Sequence, residues 1–119
     1  MGKFIRGMVV KFNFPQTDLQ PGKDNRPALV LTALEEGAVV LGEVTHGDFI
    51  LCAITSQEHV GGIRLDATDF TSGSLNKSCY ILPAKMFTIS DEPLKPVGRL
   101  NSKKLHEVLE AVHKLFPLI

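Results

Sequence analysis

Short apolar runs separated by turn formers limit the folds open to this chain more than any other feature of its sequence. Segments 7–14 (GMVVKFNF), 27–34 (PALVLTAL), 38–45 (AVVLGEVT) and 49–56 (FILCAITS) follow one another at regular intervals, with polar and Gly-bearing stretches between them. Runs of this length, rich in branched and aromatic residues, read as β-strands. Segment 7–14 alternates at its end, with Phe12 and Phe14 on one face and Lys11 and Asn13 on the other. Turns are expected at 35–37 (EEG) and 46–48 (HGD), and the polar stretch 16–25, with Pro21-Gly22, reads as a long exposed loop. Farther on, 63–70 reads as a short strand and a turn, 78–82 as a strand and 86–89 as a shorter one. Brief strands joined by such turns point to a small barrel or sandwich rather than to βαβ units.

The period changes once, near the end. In 100–117 (LNSKKLHEVLEAVHKLFP), residues Leu105, Val108, Leu109, Val112, Leu115 and Phe116 fall at helical spacing and form one apolar stripe. Asn101 or Ser102 can cap the start, and Pro117 helps to end it. A helix over about 101–116, its stripe against a barrel of about 1–98, makes one domain of 1–119 the expected organisation. Lys103 and Lys104 sit in the first turn, where the helix dipole disfavours cations, and are read as part of a solvated face.

Composition narrows the function classes. Lys+Arg and Asp+Glu both number 13, so the formal net charge is zero and any nucleic-acid contact must come from a local patch. Cys52 and Cys79 lie inside apolar runs at no zinc-binding spacing and read as core thiols in a reducing compartment. The start (MGKFIRGMVV) lacks the apolar stretch of a signal peptide, and no eighteen apolar residues run together, so a cytoplasmic protein off the membrane is expected. His106 and His113 are seven residues apart, about 10 Å along a helix, too far to share a metal ion. His46 and His59 fall in a turn and a loop with no identifiable partner. Nucleophile elbows, phosphate-binding glycine loops and dinucleotide fingerprints do not occur. No metal and no cofactor are expected.

Two places invite a chemical reading. In DNRPALVLT, Pro27 suits the first position of a strand because it has no N–H to contribute to a ladder. Arg26, directly before it, is a permanent cation with a fixed fork of donors, although an arginine there is most often a surface cation. In CAITSQ, the apolar strand ends in Thr55, Ser56 and Gln57, polar groups that commonly satisfy loose backbone at a strand end. If these two ends share one rim, a guanidinium and a hydroxyl converge where they can hold phosphate oxygens and stabilise charge on phosphorus. The loop 16–25 leads into Arg26 and can fold over that spot as a lid.

The order GMVVKFNFPQTD, NRPALVLT, FILCAITSQ, GSLNKSCYILPAKMFTI and VGRLNSKKLHEVLEAVHKLF resembles the MazF/PemK family, the toxin halves of bacterial toxin–antitoxin pairs. The resemblance covers almost the whole chain. It implies an SH3-like β-barrel with a C-terminal amphipathic helix, a twofold homodimer and an antitoxin partner that occupies the RNA groove. It also implies a metal-independent endoribonuclease on single-stranded RNA such as mRNA, in which the 2′-OH attacks phosphorus and leaves a cyclic phosphate and a 5′-OH. Arg26 matches the family arginine that stabilises the phosphorane, and Thr55 the threonine at the scissile phosphate. Ser56 and Gln57 would support that site, while Thr17, Asp18 and Lys23 would bear on RNA access. Four positions depart from the family pattern. Met8 stands at an acidic position, Asn25 at a basic one, and Leu82 and Ala84 where relatives carry an Arg and an Asp or Asn that contact RNA. The alternative is a non-catalytic RNA-binding or protein-interaction barrel of the same fold.

Overall fold

A computed structural model describes residues 4–12, 26–33, 39–40, 43–44, 49–89 and 94–116. The expected loop 16–25, with Thr17, Asp18 and Lys23, lies outside them, as do the turns at 35–37 and 46–48. The strands are β1 (Met8–Phe12), β2 (Arg26–Ala33), β3 (Val39–Val40), β4 (Glu43–Val44), β5 (Phe49–Thr55), β6 (Ile63–Leu65), β7 (Phe70–Gly73), β8 (Cys79–Ile89) and β9 (Lys95–Leu100). A 3₁₀ turn, Ala67–Asp69, lies between β6 and β7, and helix α1 spans Ser102–Lys114. Seven strands form one antiparallel sheet in the order β6-β8-β5-β2-β1-β9-β7, while β3 and β4 pair separately.

That order forces the sheet to curl. Strands β6 and β7 are its two edges, yet only residues 66–69 connect them. In a flat sheet of seven strands the edges would stand about 29 Å apart. The connecting residues can reach about 18 Å even when fully extended. Closure into a half-barrel is therefore written into the spacing between β6 and β7. The far end of the connection is tied down as well, since the Asn101 N–H donates to the Asp69 carbonyl at 2.8 Å.

The sheet is buried on both faces, which is why 28–31 reads as an unbroken apolar run rather than an alternating one. One face carries Val9, Leu29, Leu31, Cys52, Ile54, Ile81 and the helix residue Val108. The other carries Phe4, Val10, Phe12, Ala28, Val30, Phe49 and Leu51. Gly7, at φ +96°, brings β1 under the helix, where an added Cβ would stand 3.1 Å from Leu105 Cδ2. Gly98 lets β9 approach β7 closely, and a Cβ there would meet the Ser72 carbonyl oxygen at 2.5 Å.

Several elements differ from the sequence reading. Segment 38–45 holds two short paired strands instead of one, and Gly42 is the turn former in that stretch that its apolar count overrode. The strands expected at 78–82 and 86–89 are one strand, β8, interrupted internally. Strand β9 escapes the sequence reading because it contains Pro96 and Gly98. Pro96 is tolerated because it pairs with β1 beside a register shift, at a level where β7 does not reach.

Helix α1 is capped by Asn101, whose side chain accepts from the Lys104 N–H at 2.8 Å. Lys104 is not part of a solvated face. Its ammonium lies 3.0 Å from Glu107 and 3.8 Å from Asp69 and donates to the Arg64 carbonyl at 2.9 Å, so tertiary partners offset the unfavourable dipole. Lys103 does stay exposed. The apolar stripe is covered only in part: the helix ends at Lys114, and Leu115 and Phe116 leave its period and remain 42% and 64% exposed.

Candidate active site at the end of β2 and β5

The register of the central strands decides whether Arg26 and Thr55 meet. Strand β1 ends at Phe12, which pairs with Arg26 at the start of β2. Strand β2 pairs with β5 through Ala28 and Ala53. That ladder ends at Ala28↔Ala53, and Arg26 and Thr55, the last residue of β5, each lie two residues beyond it at the same end of the sheet. Thr55 in turn pairs with Tyr80 of β8, and Tyr80 with Arg64 of β6. Two paired sets therefore stand at one end of the sheet: Phe12 with Arg26, and Thr55 with Tyr80 and Arg64. Residues opposite one another in antiparallel pairs project to the same face. That face is the one carrying Phe12 and Ala28, since Ile54 between Ala53 and Thr55 belongs to the other cluster.

The Thr55 Oγ1 accepts from the Gln57 N–H at 3.2 Å, a local bond that closes the bend after β5. Ser56 and Gln57 follow in an exposed bend. Arg26 is half-buried and reaches a cavity of about 200 Å³ whose wall includes Phe12, Ala53, Met86 and Phe87. The Phe12 and Phe87 rings pack with centroids 5.3 Å apart and give this wall a rigid aromatic part.

A residue that the sequence reading passed over also lines the cavity: Lys85. Between Ala53↔Leu82 and Cys52↔Met86 the β5–β8 register jumps, so Pro83, Ala84 and Lys85 bulge from the ladder. Pro83 cannot donate to a ladder, so the bulge forms where the backbone loses least. The signal was present as a proline inside an otherwise continuous strand. Of the two departing positions, Leu82 stands opposite Ala53 and is buried, two residues from Tyr80 on the same face, and Ala84 is exposed on the bulge.

The other titratable groups sit elsewhere. Asp66 accepts from the Ser78 hydroxyl at 2.7 Å and from Arg64 at 3.2 Å, contacts that hold its carboxyl below the usual carboxylate range. This cluster pins β6 to the start of β8. Burial pushes the Cys52 thiol up to about 12 and raises Cys79 as well, in keeping with core thiols. His59 is exposed in its loop, His106 lies 3.6 Å from Glu110 on the helix, His113 is exposed, and His46 lies outside the described residues. Among the described residues no helix is long and apolar enough to cross a membrane.

The Arg26 guanidinium and the Lys85 ammonium thus line one largely apolar, partly aromatic cavity, whose lining does not include Thr55. Solved structures share the fold. The chain in a MazE–MazF complex from Deinococcus radiodurans (Form-II) is 20% identical, with a TM-score of 0.64, covering 98% of this chain and 97% of that one. MazF from the same organism (Form-I) gives 18% identity and a TM-score of 0.62, with 97% of each chain covered. An endoribonuclease in complex with its cognate antitoxin from a Mycobacterial species gives 12% identity and a TM-score of 0.59, covering 98% of this chain and 99% of that one. No curated protein matches the chain by sequence. The model of one family spans residues 5–116, nearly the whole sequence. By that match the chain belongs to the PemK-like, MazF-like toxins of type II toxin–antitoxin systems, a family of endoribonucleases.

Proposed function

We propose that this protein is a toxin endoribonuclease that cuts single-stranded RNA without a metal ion, with Arg26 and Thr55 at the scissile phosphate. In the reaction the ribose 2′-OH attacks the adjacent phosphorus and gives up its proton. The P–O5′ bond breaks, and the leaving 5′ oxygen gains a proton, giving a cyclic phosphate and a 5′-OH. Arg26 holds two phosphate oxygens through its planar fork and stabilises the charge that builds in the phosphorane. Thr55 donates its hydroxyl proton to a non-bridging oxygen, with Ser56 and Gln57 alongside it. Thr17, Asp18 and Lys23, in the segment leading to Arg26, govern RNA access. What supports this reading is that the ladder ending at Ala28↔Ala53 leaves Arg26 and Thr55 just beyond it at one end of the sheet, in a member of this family.

The natural partners in this reading are a cognate antitoxin and a second copy of the chain, in the cytoplasm. Induction of the wild-type protein should arrest host growth, co-expression of a neighbouring antitoxin gene should relieve it, and Arg26→Ala should abolish it at equal soluble expression. Growth unaffected by soluble wild-type protein would sink the reading.

One observation supports a second reading, a non-catalytic barrel that binds RNA or protein. Leu82 gives the face beside Thr55 and Tyr80 a buried apolar side chain, which can neither take nor give a proton. RNA bound tightly and left intact by wild-type protein would select it.

A further inference from the structure

We propose that Lys85 binds the RNA backbone at a phosphate next to the scissile one, so that the bulge of β8 supplies a cationic contact to the substrate strand. The inference rests on the nuclease reading above and extends it to a residue to which the resemblance assigns no role. Three observations carry it. Lys85 and Arg26 line the same cavity of about 200 Å³, from β8 and β2 respectively. The register jump between Ala53↔Leu82 and Cys52↔Met86 displaces residues 83–85 from the ladder, putting an exposed lysine in a wall that is otherwise largely apolar. Among the described residues no carboxylate pairs with Lys85, whereas Lys104 and Arg64 both have acidic partners.

The position also separates its role from that of Thr55. Lys85 leaves the ladder near Ala53 and Cys52, two to three residues along β5 from Thr55. At about 3.3 Å per residue this displacement is roughly 7–10 Å, a neighbouring site on an extended strand and not the same phosphorus. A lysine there acts as a point charge that binds ground state and transition state alike. It therefore affects KM and leaves kcat close to wild type.

The test measures binding of a short mixed-sequence 2′-O-methyl RNA, which lacks the attacking hydroxyl, across a salt series. Proteins compared are the wild type, Lys85→Met, Lys85→Arg and the helix variant Lys114→Met. Lys85→Met should weaken binding roughly 2- to 5-fold at low salt. It should also reduce the slope of log K against log salt by about 0.7, one phosphate's worth for a single strand. Lys85→Arg should restore the slope, and Lys114→Met should leave it unchanged. On cleavable RNA, Lys85→Met should raise KM and hold kcat within about 2-fold. Wild-type binding with an unchanged slope in Lys85→Met overturns the Lys85 assignment alone, as does an equal loss in Lys114→Met. No binding by folded wild-type protein overturns the nuclease reading itself, and this assignment with it.

Discussion

Arg26 owes its placement to its neighbours more than to itself. Arg26 itself opens β2 one residue ahead of Pro27, Phe12 fixes the partner on one side, and the ladder ending at Ala28↔Ala53 leaves Thr55 at the same end of the neighbouring strand. Because the fork geometry matters as well as the charge, Arg26→Lys should recover little of the cleavage lost in Arg26→Ala, which should fall about 10²- to 10³-fold, as for loss of one transition-state donor. Initial rates on one RNA at matched concentrations measure both, and full activity in Arg26→Lys would show that charge alone suffices. Thr55→Val keeps the shape and removes the hydroxyl, so it should lower kcat with little change in thermal stability. At Cys52 the sign of the pH effect is fixed by burial. Its pKa is raised from 9.0 to about 12 in the fold, so its contribution to stability is complete below about pH 9 and lost as pH rises toward 12. Native protein at pH 8 should accordingly resist thiol alkylation at Cys52 until it unfolds, and labelling at the rate of a free cysteine would contradict that burial.

At the scale of elements, what the sequence shows depends on whether the deciding contact is local. The helix was legible because its stripe and its Asn101 cap are both local features, and the central strands because they are apolar throughout. Asn101→Ala should reduce stability by about 1 kcal/mol, read as a lower denaturant midpoint at unchanged slope. The role of Lys104 was not legible, since Asp69 and the Arg64 carbonyl reach it only after β6 and the 3₁₀ turn have folded against α1. Strand β9 was missed for a similar reason. Pro96 and Gly98 argue against a strand until β1 and β7 supply ladders that accommodate them. The bulge carrying Lys85 belongs with these cases, because Pro83 announces an irregularity and only pairing with β5 shows which side chain it moves. Gly7→Val should destabilise the fold through both its positive φ and its contact with Leu105, and an unchanged melting temperature would contradict the β1–helix approach described above.

Over the whole molecule, two long-range facts organise the fold and the site: the short β6–β7 connection that curls the sheet, and the row at one end of it that holds the pairs Phe12–Arg26 and Thr55–Tyr80–Arg64. Neither follows from periodicity, because both depend on strand order. The sequence raises Arg26 and Thr55 as two strand-end oddities that converge only if both ends share one rim, and the resemblance gives each a role in one site. The pairing leaves both residues at one end of the sheet, just past the last residues paired between β2 and β5. The account makes its central claim about chemistry at this row. The most direct test incubates mixed-sequence single-stranded RNA with wild type and Arg26→Ala in the presence of EDTA and analyses the fragment ends. The account predicts cyclic phosphate and 5′-OH ends with wild type and intact RNA with Arg26→Ala. Intact RNA with both folded proteins, or equal cleavage by both, would contradict it.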